Sequence, residues 1–285
     1  IIIGCSSPEP INYEYMLYER VGTFYRKDTN KPYTGDVFSV YDTGVKREIG
    51  NLNDGSRNGL WTGFYESGNK SYIRNFKDGI KIGKWESWYE NGNKKMQKHY
   101  NSNNNGELDG LYSEWYDNGQ KKREETYNGY NTKHGSSNEW YENGQKKIEG
   151  TFKNGQKIGL YNEWHENGQK KIEGTFKNGL KNGSYNEWRK DGGKRIEGTF
   201  KLGKEDGLYS EWRYSSPKYK INYKDGIKDG LYTEYNSQGK YREINYKNGK
   251  QDGLWTEWWG NGQKRLEGTK IASKHEYGRK DGLWT

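Results

Sequence analysis

The sequence predicts an all-β fold: an elongated single-layer antiparallel meander of about ten stacked β-hairpin repeats, with a period of about 23–25 residues. Three observations predict it. Tryptophan recurs every 24 residues, at Trp140, Trp164, Trp188 and Trp212. Asn-Gly pairs stand between runs of β-forming residues, which is the strongest short-range hairpin signal. The 40 glycines among 285 residues are spread through every repeat and exclude helices longer than a turn or two.

The repeated unit is clearest between Gly159 and Gly179, where it reads GLYNEWHENGQKKIEGTFKNG. Copies of this unit fill residues 35–285, and the last copy is incomplete. Residues 11–34 precede the array and are expected to form an N-terminal cap or a linker. Residues 1–10, which begin Ile-Ile-Ile-Gly-Cys, resemble a residual signal peptide with a lipobox, followed by a tether. The glycines that begin the copies are Gly35, Gly59, Gly83, Gly110, Gly135, Gly159, Gly183, Gly207, Gly230 and Gly253.

Each unit predicts one hairpin, whose strands are residues 160–165 and 170–176 in the clearest copy. A three-residue loop that ends at a left-handed Gly168 pairs Trp164 with Lys170. We choose this loop because register follows the hydrophobic pattern, and this register collects the aliphatic and several aromatic side chains on one face. The face expected to be apolar carries Leu160, Trp164, Ile172 and Phe176, and the opposite face carries Tyr161, Glu163, Lys171, Glu173 and Thr175.

Aromatic side chains are expected to form the core. Hydrophobic residues make up 29% of the chain and aromatic residues 16%, so a thin core of rings is possible where a thick aliphatic core is not. Glycine inside the second strand, as at Gly174, weakens that strand unless a ring from a neighbouring strand covers it. The predicted repeat-core aromatics are Trp115, Trp140, Trp164, Trp188, Trp212, Trp258, Phe152, Phe176 and Phe200.

The recurring pattern G-L-Y-x-E-W-Y-x-N-G-Q-K-K-x-E-G-T-F-K-N-G resembles the bacterial variant of the MORN repeat, which is found in proteins often labelled YwqK-family antitoxins. The resemblance implies an open meander of consecutive antiparallel hairpins, in agreement with the hairpin prediction. It also implies an antitoxin or immunity role, in which the protein neutralises a toxin by direct binding. Some MORN proteins have been proposed to bind anionic lipid, so a scaffold on such a lipid is a further alternative.

The start of the sequence, Ile1-Ile2-Ile3-Gly4-Cys5, resembles a bacterial lipobox. In that family a signal peptidase cleaves before the cysteine, which then carries the lipid. We therefore expect Cys5, the lone cysteine of the chain, to be the lipidation site and to anchor the protein to a membrane. An ordinary buried terminal strand with an incidental cysteine is the alternative. The anchor predicts a location at the bacterial cell envelope, with surface exposure as one option and a cytoplasmic location as the alternative.

The residue patterns do not predict catalysis. His165 occupies the position that Tyr116 and Tyr141 hold in sister repeats, which indicates a repeat-surface residue and not a general base. Repeated glutamates such as Glu163 and Glu187 are expected to form a ladder partnered by lysines. Metal-ligand spacings and phosphate-binding loops are not found in the sequence. We expect a non-enzymatic protein without catalytic residues, metal or cofactor.

The positive charge is spread along the array. The net charge is +9, and each repeat interleaves lysines with glutamates, which argues against nucleic acid as a partner. The lysine-rich second strand is expected to be a solvated face. Within the hairpin, Glu163 is expected to form an ion pair with Lys171 across the two strands.

The sequence therefore predicts a non-enzymatic, membrane-anchored repeat lipoprotein with an extended surface that binds a protein or a glycan. The candidate binding surface consists of Tyr161, Tyr185 and Tyr209, which the predicted register places toward solvent. Cross-strand packing of these tyrosines is the alternative. Edge-to-edge self-association is a further option, because an open meander leaves strand edges unpaired.

Overall fold

The computed structural model describes residues 9–101, 103 and 106–270. Strands account for 68% of the model and helix for 2%, which confirms the predicted all-β class. The chain divides into two compact units, residues 1–144 and residues 145–285. The predicted lipidation site Cys5 and the incomplete final repeat lie outside the described residues.

The first unit contains thirteen strands and one short helix. Their bounds are β1 Ile11–Asn12, α1 Tyr13–Met16, β2 Leu17–Arg20, β3 Thr23–Arg26, β4 Gly35–Val40, β5 Lys46–Asn53, β6 Ser56–Phe64, β7 Lys70–Lys77, β8 Ile80–Lys81, β9 Gly83–Trp88, β10 Lys94–Tyr100, β11 Asp109–Trp115, β12 Lys121–Asn128 and β13 Lys133–Trp140. From β4 onward the strands follow one another as antiparallel neighbours. The two-residue β8 pairs with β7, which also pairs with β9.

Residues 11–34 pack against the first strands of the array. The strand β1 runs parallel to β4, and β2 and β3 form a separate two-stranded hairpin. The backbone nitrogen of Phe24 donates to the carbonyl of Gly55 at 2.8 Å. The side chains of Leu17, Phe24 and Tyr33 are buried in one cluster with Trp61 and other array residues. Apolar burial thus joins this segment to the array.

The second unit contains eleven strands in one antiparallel meander. Their bounds are β14 Lys146–Lys153, β15 Gln156–Trp164, β16 Lys170–Lys177, β17 Leu180–Trp188, β18 Lys194–Lys201, β19 Lys204–Arg213, β20 Ser216–Lys224, β21 Ile227–Asn236, β22 Gly239–Lys247, β23 Lys250–Trp258 and β24 Lys264–Lys270. Each strand pairs with the next one along the chain. The meander of hairpins that the repeat predicted is confirmed in both units.

Two kinds of turn join these strands. At the predicted three-residue loop, the backbone nitrogen of His165 donates to the carbonyl of Gln169 at 2.8 Å, and Gly168 has a φ of 81°. This confirms the loop length and the left-handed glycine. At the other end of the unit, Asn178 and Gly179 have φ values of 50° and 78°. Positive φ at both central positions is typical of the type I′ turn that Asn-Gly favours.

A β-bulge beside each three-residue loop overturns the predicted faces. Trp164 pairs with Lys170 as expected, but the next pair is Glu163 with Ile172, so Lys171 is an extra residue in β16. One inserted residue shifts the rest of the strand by one position and exchanges its faces. The predicted grouping of Trp164 with Phe176 is therefore wrong, because the bulge separates them.

Candidate functional site

The bulge gives the second unit two faces of different chemistry. The first, here called the ring face, carries Tyr161 and the residues that alternate with it across the sheet, Glu163, Ile172 and Phe176. The second, here called the indole face, carries Leu160, Asn162, Trp164, Glu173 and Thr175.

On the ring face, aromatic side chains form a continuous edge-to-face ladder. Tyr161 and Phe176 have ring centroids 5.7 Å apart, and Phe176 and Tyr185 have centroids 6.4 Å apart. The ladder continues through Phe200 to Tyr209, at 5.7 and 6.2 Å. Edge-to-face packing at these distances is favourable for aromatic pairs. Of the predicted core aromatics, Phe176 and Phe200 belong to this ladder.

The ladder forms because glycines lie beneath its rings. A Cβ atom added at Gly174 would lie 2.6 Å from Cδ2 of Tyr185, and one added at Gly150 would lie 2.6 Å from Cδ2 of Tyr161. Only a residue without a side chain leaves room for a ring at that distance. The expectation that rings cover the strand glycines is confirmed.

The tyrosine hydroxyls of the ladder are bound within the sheet. The hydroxyl of Tyr161 donates to Oε1 of Glu163 at 2.8 Å, and that of Tyr185 donates to Oε1 of Glu187 at 2.6 Å. Burial, together with the hydrogen bond to Glu187, raises the pKa of the Tyr185 hydroxyl. These phenols therefore remain neutral hydrogen-bond donors at physiological pH.

Lysine ammonium groups cover the same rings. The Nζ atom of Lys157 lies 3.4 Å from the ring centroid of Tyr161, and that of Lys181 lies 3.3 Å from the centroid of Tyr185. Such contacts are favourable cation–π interactions. Burial lowers the pKa of Lys181. Each ring is thus held between a glycine backbone and a cation.

The three tyrosines predicted to face solvent are consequently not free surface residues. Tyr161 and Tyr185 are only 4% and 5% exposed, and Tyr209 is half-buried with its hydroxyl 3.3 Å from Glu211. The predicted exposure is wrong because the bulge turns these residues into the ring ladder. Side chains this covered offer little area to a partner.

On the indole face, five of the repeat tryptophans lie under a lysine of the preceding hairpin. The Nζ atom of Lys146 lies 5.9 Å from the Trp164 ring, and that of Lys240 lies 4.0 Å from the Trp258 ring. The first unit makes the same kind of contact, with Nζ of Lys121 5.8 Å from the centroid of the Trp140 ring. The predicted core tryptophans are half-buried on this face: Trp115, Trp140, Trp164, Trp188, Trp212 and Trp258. Phe152 is also half-buried.

Exposed leucines form a row on the indole face. Leu160, Leu208, Leu231 and Leu254 are between 40% and 57% exposed; together they are here called the leucine row. They hold the same position, directly after the glycine that begins each repeat. The only sequence signal for them is the recurrent Gly-Leu pair, and the predicted register placed Leu160 in the core.

The repeated charges are mostly paired within the sheet. The predicted ion pair is confirmed, with Nζ of Lys171 3.2 Å from Oε2 of Glu163. On the indole face, the first lysine of the second strand pairs with the glutamate three residues later in six repeats, as in Lys194 with Glu197 at 3.0 Å. Exposed pairs of this kind contribute little to stability, about 0–1 kcal/mol each, but they neutralise the face.

The histidine at the loop has a structural contact. Nε2 of His165 lies 3.1 Å from the carbonyl oxygen of Trp188 in the next hairpin. In a sister repeat, the hydroxyl of Tyr116 donates to the carbonyl of Trp140 at 3.0 Å. His165 therefore replaces a tyrosine that joins neighbouring loops. Among residues 9–101, 103 and 106–270, no group of three histidine, cysteine or acidic side chains could hold a metal ion.

Helices of the described part of the chain are too short or too polar to cross a membrane.

Five consecutive segments of the chain match the family model described as MORN repeat variant, at residues 57–78, 81–102, 108–128, 133–154 and 157–178. Among solved structures, the chain is similar to one described as the crystal structure of TcdB2-TccC3, with 9% sequence identity and a TM-score of 0.21. The alignment covers 89% of this chain but only 16% of that chain. A likeness this weak carries no argument about fold or function. No curated protein matches the chain.

Proposed function

Because this chain is a MORN-repeat protein, we propose that its repeats bind another protein and that the leucine row makes the central contact. The observation that carries the proposal is the alignment of exposed leucines on one face of one sheet. Leu208, Leu231 and Leu254 lie on every second strand, so that successive side chains are about 9–10 Å apart. Asn222 and Asn245 lie on the strands between them, so each leucine can enter a separate apolar pocket of a protein partner, as anchor residues of interfaces do.

A protein fits this face better than a glycan does. Sugar rings are usually bound on exposed aromatic faces, but here the tryptophan rings lie under lysines, as Trp258 lies under Lys240 at 4.0 Å. The exposed apolar area is therefore aliphatic. Burying three leucines against a partner would contribute several kcal/mol, at about 25 cal/mol for each Å² removed from water.

Site-specific photocrosslinking in cells of the source organism tests the proposal. A photoreactive amino acid replaces Leu231 in one variant and Ile227 in another. Ile227 is also about half exposed, but it begins β21 beside the turn and does not belong to the leucine row. We expect a protein adduct of defined mass from position 231 and not from position 227.

A matched pair of triple variants completes the test. Serine replaces Leu208, Leu231 and Leu254 in one variant, and Leu180, Leu202 and Ile227 in the other, so that both lose three exposed apolar side chains. Added as a competitor, the first triple variant should leave the amount of adduct at position 231 unchanged. The second triple variant should reduce that amount as much as the unaltered protein does. Equal competition by both, or a glycan adduct at position 231, would contradict the proposal.

The membrane anchor and the envelope location are a separate part of the proposal. They rest on the lipobox-like sequence that ends at Cys5. Mass spectrometry of the N-terminal peptide, with a Cys5→Ser variant as control, should find acyl chains on the unaltered protein alone. Fractionation should place that protein with membranes. An unmodified peptide from a soluble protein would exclude the anchor and would favour the antitoxin alternative, which needs only direct binding to a toxin.

A further inference from the structure

On the ring face, a repeated site holds one carboxylate of the chain itself. At Glu187, the carboxylate accepts from the hydroxyl of Tyr185 at 2.6 Å and lies 2.7 Å from Nη1 of Arg195. The first unit builds the same site at Glu114, which accepts from the hydroxyl of Tyr112 at 3.1 Å and from Lys122 at 2.8 Å. Most repeats of the array therefore have a glutamate two residues after a ring-face aromatic residue. At Glu114 and Glu187 this glutamate pairs with the second residue of the next strand.

Three successive repeats of the first unit lack this glutamate, because Ser39, Gly63 and Ser87 stand in its place. Ser87 stands two residues after Trp85, where sister repeats have the glutamate, and it pairs in register with Tyr72 and with Met96. The cation of the site is nevertheless retained, because Lys95 holds the position of Lys122. Among residues 9–101, 103 and 106–270, Lys95 has no carboxylate within 4.0 Å, and its Nζ lies 5.3 Å from the Tyr89 ring.

A second cation borders the same place. Arg74 occupies the strand position at which other repeats have glycine, such as Gly174. Its guanidinium carbon lies 3.9 Å from the ring centroid of Tyr72 and 5.3 Å from that of Trp85. In the described part of the chain, no acidic side chain forms an ion pair with Arg74. The two rings hold the guanidinium in place while its hydrogen-bond donors lack an acidic partner.

The carboxylates that line the space around these cations are already paired, Glu86 with Lys84 and Lys94 and Glu114 with Lys122, and the Tyr72 hydroxyl donates to Glu48.

Two further cations lie nearby. Nζ of Lys81 lies 5.4 Å from the Trp85 ring, and Nζ of Lys98 lies 5.4 Å from the Tyr112 ring. Burial and the nearby charges of Lys81 and Arg74 lower the pKa of Lys98. Repulsion between cations that are not neutralised favours the uptake of an anion.

Ser87 lines a cleft of about 360 Å³, which is within the range of ligand sites. Glu114 at its border is already satisfied by Lys122 and Tyr112. The side chains that line the cleft include Tyr72, Arg74, Trp85, Ser87, Lys95 and Glu114.

We propose that this cleft binds a carboxylate supplied by a ligand, in the place where sister repeats hold their own glutamate. The Arg74 fork donates two hydrogen bonds to the carboxylate, and Lys95 adds a third charge-assisted donor. Carboxylate is favoured over phosphate because the retained cation position binds a glutamate in a sister repeat, where Lys122 lies 2.8 Å from Glu114. This site lies in the first unit, so it is independent of the leucine row and of the function proposed for it.

Isothermal titration calorimetry on the full chain tests the site, with blocked hexaglutamate as the probe. Blocked hexaglutamine serves as the uncharged control, and free succinate and inorganic phosphate as small competitors. We expect hexaglutamate to bind and hexaglutamine not to bind. Arg74→Gln should weaken hexaglutamate about tenfold or more, as loss of charge-assisted hydrogen bonds predicts. Competition by succinate, at a concentration equal to that of the glutamate residues in the probe, would identify a small acid as the ligand that supplies the carboxylate. Failure of succinate to compete would identify an acidic peptide.

Two further variants make the test specific. Ser87→Glu restores the chain's own carboxylate, so it should abolish binding while the protein keeps or gains thermal stability. Arg195→Gln removes a ring-face cation that already has Glu187 as its partner, so it should leave the affinity unchanged. Unchanged affinity in Ser87→Glu, equal loss in Arg195→Gln, or displacement of hexaglutamate by inorganic phosphate would overturn the proposal.

Discussion

The ring of Tyr185 lies against the backbone of Gly174, so closely that a Cβ at Gly174 would be 2.6 Å from Cδ2 of that ring. Tyr185 is 5% exposed as a result. The same relationship joins Gly198 to Tyr209, at 2.8 Å. Glycine is thus used where a strand would ordinarily lose stability, because the absent side chain gives room to a buried ring from the next strand.

The first prediction follows from this contact. Gly174→Ala forces the Tyr185 ring to move and should lower the free energy of unfolding of the protein by about 1–3 kcal/mol, as overpacking usually does. Urea denaturation measures the change. Gly260→Ala is the control, because the added Cβ meets only the flexible amide end of Gln238. If both variants are equally stable, the ring does not depend on the glycine.

The second prediction concerns a repeat in which the glycine and the ring are both replaced. Glu125 occupies the position of Gly174, and Ser137 occupies that of Tyr185. Glu125 is fully buried, with Nζ of Lys133 at 2.5 Å and the hydroxyl of Tyr127 at 2.7 Å. A small side chain opposite a large one keeps the volume of the pair nearly constant.

Each single replacement at this pair should therefore be destabilising. Ser137→Tyr has no room beside Glu125. Glu125→Gly removes the carboxylate from Lys133, whose side chain is 32% exposed, a loss of about 1–3 kcal/mol. The double variant restores the pattern of the other repeats. A double-mutant cycle by urea denaturation should give a favourable coupling of about 1–3 kcal/mol. Simple additivity would show that the two positions do not compensate each other.

The third prediction concerns alkaline pH. Burial and the neighbouring charge of Glu114 raise the pKa of Tyr112 to about 12, above the ordinary value of about 10. A group whose pKa is raised by folding stabilises the fold fully below its unfolded pKa and loses that contribution as pH rises through its folded pKa. Stability should therefore fall between about pH 10 and pH 12.

Carbon-13 NMR of the Tyr112 ring across that range measures the titration directly. Glu114→Gln should move its midpoint down toward the ordinary tyrosine value, because the carboxylate charge is removed. A Tyr112 midpoint at the ordinary value in the unaltered protein would mean that the ring is not buried beside Glu114.

The fourth prediction assigns His165 a structural role. His165→Tyr should keep the contact with the carbonyl of Trp188, because Tyr116 makes the equivalent bond in its own repeat. The melting temperature should then be unchanged or higher. His165→Ala should cost about 1 kcal/mol, the net value of one hydrogen bond. Differential scanning calorimetry compares the two, and equal losses in both would exclude the inter-loop bond.

Repeat period, hairpins, turns and covered glycines could be predicted from the sequence, because each has a local signature such as Asn178-Gly179. Which side chains share a face of the sheet could not be predicted. The register was chosen to collect Leu160, Trp164 and Phe176 on one side, which assumes one apolar and one solvated face. In fact both faces carry rings, and the bulge at Lys171 gives the tyrosines glycine backbones to cover and leaves Leu160 exposed.

The interrupted site at Ser87 was missed for a related reason. A serine in a strand has no signal of its own, and only the recognition that Glu114 and Glu187 hold the same position shows that an acid is missing. The leucine row was missed because an exposed leucine and a buried one have the same sequence pattern. Both features depend on the register, which the bulge sets.

The most direct test of this account is hydroxyl-radical footprinting of the purified protein, read residue by residue by mass spectrometry. The register set by the bulge predicts rapid oxidation of Leu208, Leu231 and Leu254, and strong protection of Tyr161 and Tyr185 despite the higher intrinsic reactivity of tyrosine. Oxidation of both tyrosines at the rate of exposed tyrosine, with the leucines protected, would show that the faces are exchanged and would contradict the proposed binding surface.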